Sequence, residues 1–193
     1  MSDRVNRLRA EMQAAGIHGF LVPRNDEHFG EWVPANAERL AWLTGFTGSA
    51  GLAIVLANRA AMFVDGRYTL AVRDQVDLDV FEIRHVTEEP ASDWLRAVLQ
   101  PGKRLGFDPW LHTAAGLTAV EKAVKDAGAE LVPVARNPVD LIWQDRPAPP
   151  MAPVVPHDLE RAGETAEAKR QRIAEIVKQK GADAAVLTLP ESI

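Results

Sequence analysis

Cysteine is absent from this 193-residue sequence, so the chain has no disulfide framework and no thiolate chemistry. Long apolar runs are also missing, and none approaches the ~20 residues that a membrane helix requires. The first four residues, Met-Ser-Asp-Arg, do not begin the apolar core of a signal peptide. From these absences we expect a cytoplasmic protein with no membrane partner.

Basic clusters are missing as well. The formal net charge is -5, and the lysines and arginines form no run, which argues against a nucleic-acid-binding surface. The hydrophobic content of 47% is typical of a globular protein. The length allows one ordinary domain with a real core, or one domain and a fragment of another.

The residue sets that mark common catalytic sites are not recognisable either. The five histidines are scattered, and none stands in a His-Glu-x-x-His arrangement. Asp65 and Asp77 have no His or Glu partner in the pattern, and Asp65 lies in a natural turn. Spacing alone identifies no Ser–His–Asp or Cys–His set. The residues themselves therefore indicate an α/β domain without a self-contained catalytic site.

What the sequence does contain is an alternation of helical and strand patterns. Apolar spacing predicts helices over about 3–15, 38–43, 67–75, 90–99, 113–128 and 164–180. Short apolar or alternating runs predict strands over 18–23, 52–56, 60–64, 80–84, 104–107 and 131–134. The turn at Asn58-Arg59 makes two of these strands a hairpin, and Pro133 favours an edge position. The predicted fold is a mixed sheet of about six strands with helices on both faces.

The N-terminal pattern returns near the end of the sequence. Residues 7–23 read as a helix, Gly16 and a strand, and residues 172–188 repeat this order with Gly181 and an apolar run, Ala185-Val186-Leu187. A third instance around Gly128 weakens the case for a duplication, so a coincidental tail is the alternative.

A proline-rich segment separates the two copies. Residues 145–156 contain five of the 13 prolines, a composition that predicts an extended, stiff connector. We therefore expect a first domain over 1–146, a connector over 147–160 and a truncated start of a second domain over 161–193.

Two loops carry candidate binding groups. The glycines of residues 45–51 run into a strand instead of a helix, so phosphate binding is disfavoured. They indicate a tight turn, or a stiff loop that presents Thr47 and Ser49 to a neighbouring pocket. In the turn at 65–68 we expect Asp65 to cap a helix and Tyr68 to pack, while Arg67 either belongs to the turn or binds a carboxylate. We interpret Trp32, Trp42 and Trp110 as core or interface residues.

Six segments, taken in order and approximate spacing, resemble the N-terminal region of the three-domain Xaa-Pro aminopeptidases of the creatinase/prolidase family. They are Phe20–Pro23, Glu31–Pro34, Leu43–Gly51, Ala61–Tyr68, Leu105–Pro109 and Leu141–Pro147. The resemblance implies a creatinase-like N-terminal domain, with a second copy of that domain beginning near residue 160.

The resemblance also implies a catalytic domain of the pita-bread fold further along the protein. In the family that domain holds two divalent ions, usually Mn²⁺, through two Asp, one His and two Glu. None of these ligands can be placed on a numbered position here, so no metal, cofactor or catalytic residue is expected within the 193 residues.

The implied reaction of the parent protein is release of the N-terminal residue from peptides with proline at the second position. In the family the N-terminal domains cap the active site or take part in a homodimer. On that basis the candidate substrate contacts are Arg39, Thr47, Ser49 and Arg67. The alternative is that all four serve folding or an interface.

The chain alone is expected to be inactive. The alternative function is a pseudo-enzyme or protein-binding module with the same fold.

Overall fold

A six-stranded mixed sheet organises the first part of the chain in the computed structural model, which describes residues 2–188. The strands are β1 (Gly19–Pro23), β2 (Leu52–Leu56), β3 (Ala60–Val64), β4 (Glu82–His85), β5 (Arg104–Phe107) and β6 (Glu130–Pro133). They lie in the order β4-β3-β2-β1-β5-β6. The prediction of a mixed six-stranded sheet is confirmed.

Pairing directions follow from the connections. β2 is antiparallel to both β1 and β3, with Val55 opposite Ala60 in the predicted hairpin. The pairs β3–β4, β1–β5 and β5–β6 are parallel. β6 lies at an edge, where Pro133, which has no backbone N–H, removes no hydrogen bond to a further strand.

Helices cover both faces of this sheet. They are α1 (Ser2–Ala14), α2 (Arg39–Thr44), α3 (Ala71–Gln75), α4 (Ala91–Val98), α5 (Ala114–Asp126) and α6 (Pro138–Ile142). Successive residues of a strand point to opposite faces, so Phe20 and Val22 pack in the cluster that contains α1, α2, α3 and α6. Leu21, between them, packs in the other cluster, with α4 and α5.

The segment predicted as one helix over 67–75 is divided. A 3₁₀ turn over Gly66–Tyr68 precedes α3, and Asp65 caps that turn by accepting a hydrogen bond from the backbone N–H of Arg67. Asp65 caps only the turn, and α3 begins at Ala71 without a side-chain cap. The predicted cap at Asp65 is thereby confirmed.

The chain divides into two compact units, one ending at Pro149 and the other beginning at Pro150. The second contains α7 (Leu159–Ala162) and α8 (Ala166–Gln179), the latter capped by the Thr165 hydroxyl. Gly181 ends α8 at φ 71°, where Ala182 N–H donates to the Val177 carbonyl at 3.2 Å. Gly16 (φ 66°) and Ile17 end α1 in the same way, with the Met12 carbonyl as acceptor at 2.9 Å.

The predicted strand at Ala185-Val186-Leu187 is wrong for the described residues, since this segment is irregular. A strand is defined by its pairing with a neighbour, and no described residue pairs with this run. Within residues 2–188, no helix combines the length and apolarity needed to cross a membrane.

Candidate functional site

The carboxyl ends of five strands define one end of the first unit. β1, β3, β4, β5 and β6 run in the same direction, as their pairings require. The loops that follow these strands and the loop that precedes β2 therefore lie at one end, which we call the carboxyl edge. The chain leaves β1 toward β2 and later returns on the other side of β1 as β5. Ligands of open α/β sheets bind preferentially at such a reversal.

The glycine-rich loop over 45–51 is held by close packing. A Cβ added to Gly51 would lie 2.7 Å from Cε of Met62 and 3.0 Å from Cδ2 of Leu40. A Cβ at Gly48 would collide with the ring of Phe46. Both glycines are thus required because neighbouring side chains occupy the space of a Cβ.

Tyr68 fixes the middle of this loop. The Ser49 N–H donates to the Tyr68 hydroxyl at 3.0 Å, and the two hydroxyl oxygens are 2.8 Å apart. The Tyr68 ring packs edge-on against Phe46, with centroids 5.4 Å apart. These bonds from Ser49 lower the pKa of Tyr68. The sequence predicted packing for Tyr68 but not its hydrogen bonds.

Gln75 holds the exposed part of the same loop, since its Oε1 accepts the Thr47 N–H at 3.0 Å. Nothing in the sequence pattern pointed to Gln75, because the partners are 28 positions apart and the contact exists only after β3 and α3 have packed. The Thr47 backbone is fixed in this way, while the residue itself remains exposed.

Arg67 is held by its own turn. Its Nε and Nη2 donate to the two carboxylate oxygens of Asp65, the shortest distance being 2.7 Å. The guanidinium also lies over the Tyr68 ring, 5.1 Å from its centroid. The hydrogen bonds from Arg67 lower the pKa of Asp65. The fold thus brings Thr47, Ser49 and Arg67 to one place through Tyr68 and Gln75.

Arg39 belongs to a different cluster. It is only 3% exposed, and its Nε and Nη2 bind Asp140 at 2.8 and 3.1 Å while Nη2 also reaches Glu27 at 3.2 Å. Arg146 joins Asp140 from the other side at 2.8 Å. Burial disfavours the charge, but the bonds to Asp140 and Glu27 outweigh it and raise the pKa of Arg39. Among the described residues no hydrogen bond or ion pair joins the Arg39 side chain to the glycine-rich loop, and its Nη1 has no hydrogen-bond partner.

The tryptophans divide into two groups. Trp42 stacks on the buried Trp143 with centroids 5.3 Å apart. Trp32 and Trp110 are 87% and 72% exposed, so neither lies in the core of the described unit. They stand on the loops after β1 and β5. Residue type alone favours burial of tryptophan, and no pattern in the sequence indicated this exposure.

Within residues 2–188, no group of three or more His, Cys, Asp or Glu side chains is placed to hold a metal ion. The carboxyl edge presents hydrogen-bond donors on fixed backbone. These donors are the hydroxyls of Thr47 and Ser49, the guanidinium of Arg67 and the exposed indoles of Trp32 and Trp110. Such an arrangement is suited to binding and orienting a ligand.

Comparison with known proteins gives two family matches. The model of the creatinase/prolidase N-terminal domain matches residues 4–146, and a second model of the same description matches residues 145–193. A probable Xaa-Pro aminopeptidase P of Coccidioides posadasii is 36% identical over 98% of this chain and 32% of its own length. Human Xaa-Pro aminopeptidase 2 is 35% identical over 76% of this chain and 22% of its own. The chain thus spans about a third or less of the relatives it matches.

Two solved structures are also similar. The X-prolyl aminopeptidase of Caenorhabditis elegans, a cytosolic enzyme with a di-nuclear active site, superposes with a TM-score of 0.84 and 31% identity, covering 98% of this chain and 33% of its own. The N-terminal domain of the cytoplasmic peptidase PepQ of Mycobacterium tuberculosis superposes with a TM-score of 0.55 and 26% identity, covering 72% of this chain. By its fold and by a family match over most of its length, the chain belongs to the creatinase/prolidase family and carries the N-terminal domain of that family.

Proposed function

We propose that this chain is the N-terminal, non-catalytic part of a metal-dependent aminopeptidase that releases the first residue of Xaa-Pro peptides. The observation that carries the proposal is the similarity to the C. elegans enzyme, which extends over 98% of this chain but only 33% of the enzyme. The bond before proline is a tertiary amide that lacks an N–H, and its preceding residue is conformationally restricted. A dedicated binding site for such substrates is therefore expected.

The carboxyl edge is the part of the domain that we assign to the active site of the longer protein. Its glycine-rich loop is tied down at Thr47 and Ser49, so a ligand would meet donors that need no reorganisation. Arg67 presents a cation whose position is fixed by Asp65. We propose that these three residues cap the active site and contact the substrate. Arg39, being buried, acts by holding α2 against α6.

The metal chemistry is assigned to residues outside this chain. Two divalent ions, which we propose to be Mn²⁺, would activate a water molecule and polarise the scissile carbonyl. The second unit is proposed to begin a second creatinase-like domain, because α8 and Gly181 repeat the hydrogen-bonded ending of α1 and Gly16. The longer protein is proposed to be cytoplasmic and homodimeric.

A peptidase assay with two protein lengths tests this assignment. The 193-residue chain and the product of the extended reading frame are each incubated with Mn²⁺ and an Ala-Pro-Ala peptide. Only the longer protein is expected to release alanine. Turnover by the short chain would overturn the proposal. An extended reading frame without two Asp, one His and two Glu as ligands, and without activity, would favour the protein-binding module instead.

The role of the edge is tested in the active longer protein. Ser49→Ala and Arg67→Gln are each expected to raise KM for the peptide or lower kcat, because they remove donors from the proposed substrate surface. Lys103→Gln, at the opposite end of the sheet, is the matched control and is expected to leave both constants unchanged. Unchanged kinetics in both edge variants would confine these residues to folding.

A further inference from the structure

Arg146 is the last residue that the first unit holds before the proline-rich connector. It is partly buried, whereas every residue over 147–163 is exposed. Its Nε donates to the Asn36 carbonyl at 2.7 Å, and its Nη1 lies 2.8 Å from Oδ2 of Asp140. Without these bonds, the next buried residue back along the chain is Trp143. The contacts of Arg146 therefore decide where the exposed connector begins.

Asp140 holds two guanidinium groups on one carboxylate. Arg39 donates from Nε to Oδ1 at 2.8 Å and from Nη2 to Oδ2 at 3.1 Å. Arg146 binds the same Oδ2. Two cations that share one carboxylate repel each other, and this repulsion is poorly screened because Arg39 is only 3% exposed. Asp140 alone would therefore leave an excess positive charge in this cluster.

Glu27, on the loop after β1, supplies the second negative charge. Its Oε1 accepts from Nη2 of Arg39 at 3.2 Å, whereas no ion pair joins Glu27 to Arg146 in the described chain. With Glu27 the formal charges of two arginines and two carboxylates cancel, and without it the cluster is positive. Arg146 is then the cation that is released, because its side chain is 28% exposed and that of Arg39 only 3%.

We propose that these four residues form a conformational device in which Glu27 controls the attachment of the connector. The Glu27 side chain is 40% exposed and only its Oε1 is bonded to Arg39, so a cationic ligand group can pair with it. Such pairing weakens the hold of Asp140 on Arg146 and adds residues 144–146 to the connector. At about 3.3–3.6 Å for each extended residue, the reach of the connector then grows by about 10 Å. The device consists of contacts within the first unit and does not depend on the proposed function.

The Nε–H group of Arg146 reports the state of the device directly. Its exchange with water is measured by NMR in the ¹⁵N-labelled chain, and its signal is assigned through Arg146→Lys. Glu27→Gln is expected to accelerate this exchange about 3- to 10-fold, because the bond to the Asn36 carbonyl opens more often. Glu31→Gln is the matched control, since Glu31 stands on the same loop and its carboxylate binds no arginine in the described chain. The control is expected to leave the exchange rate unchanged.

A double-mutant cycle separates coupling from a general loss of stability. Urea unfolding is measured for Glu27→Gln, Arg146→Gln and the double variant. Glu27→Gln is expected to raise the unfolding equilibrium constant about twofold or more further in the unsubstituted chain than in Arg146→Gln, where no excess positive charge results. The proposal fails if the two effects are additive, if Glu27→Gln leaves the Arg146 exchange unchanged, or if Glu31→Gln accelerates it equally. Neither experiment measures hydrolysis, so failure here is distinct from failure of the proposed function.

Discussion

At the scale of single residues, Tyr68 links the glycine-rich loop to the turn that holds Arg67. Tyr68→Phe keeps the ring against Phe46 but removes the hydroxyl that accepts from Ser49. We expect hydrogen exchange of the Ser49 amide to accelerate about fivefold, the effect of losing one ordinary hydrogen bond. The Thr47 amide, which donates to Gln75, serves as the control within the same sample. Unchanged exchange at Ser49 would show that Phe46 packing alone orders the loop.

Glu82 is the residue that gives the fold a pH dependence. It accepts hydrogen bonds from Arg59 at 2.7 Å, Arg84 at 2.7 Å and the Trp94 indole at 3.3 Å. The bonds from Arg59, followed by those from Arg84 and Trp94, lower the pKa of Glu82 from 4.5 to about 2. Because the folded-state pKa is the lower one, this stabilisation is complete above about pH 4.5 and is lost as the pH falls toward 2.

In the Glu82→Gln variant, the free energy of unfolding should therefore depend less on pH under acidic conditions. Between pH 5 and pH 2, the free energy of unfolding of the unsubstituted chain is expected to fall by about 1 kcal/mol more than that of the variant. This figure allows for solvent screening, because the Glu82 carboxylate is only partly buried. Urea unfolding at several pH values measures the difference. Glu121→Gln, an exposed carboxylate without an ion pair in the described chain, should follow the unsubstituted protein. Parallel curves for all three proteins would contradict the prediction.

At the scale of elements, the loop over 45–51 depends on glycine for packing. Gly51→Ala places a methyl group against Met62, Leu40 and Phe46, and we expect a loss of about 1–3 kcal/mol in the free energy of unfolding. Gly66→Ala, on the neighbouring loop, meets only the His85 ring at 3.6 Å, and a change within about 0.5 kcal/mol is expected. Urea unfolding measures the free energy of unfolding of both variants. An equal decrease in the two would mean that glycine is needed at position 51 for its backbone freedom and not for lack of space.

At the scale of the whole molecule, the proline-rich segment is accessible and has no helix or strand over residues 149–157. Met151, Val154 and Val155 are all exposed, Val154 to 97%. Limited digestion with a protease that cleaves beside apolar residues is expected to cut first between residues 150 and 156, and mass spectrometry should find a lasting fragment that ends there. First cleavage within β1 to β6 would contradict the division into a sheet unit and an accessible connector.

How far the sequence predicts this fold depends on whether the determining interactions are local. The hairpin over 52–64 and the Asp65 turn involve residues a few positions apart, and each was predicted. The run at 185–187 was predicted as a strand and is irregular, because apolar periodicity reports a propensity while a strand also needs a paired neighbour.

The sequence by itself determined the α/β class, the six strands and the family. The signals for them are apolar periodicity, turn residues and six motifs in order, and all of these can be recognised from the order of residues alone. Only the tertiary structure decided that Tyr68 and Gln75 hold the glycine-rich loop, that Arg39 is buried between Asp140 and Glu27, and that Trp32 and Trp110 face outward. The physical reason is distance along the chain. These contacts join residues as far as 101 positions apart, and the exposure of a side chain depends on which distant elements cover it.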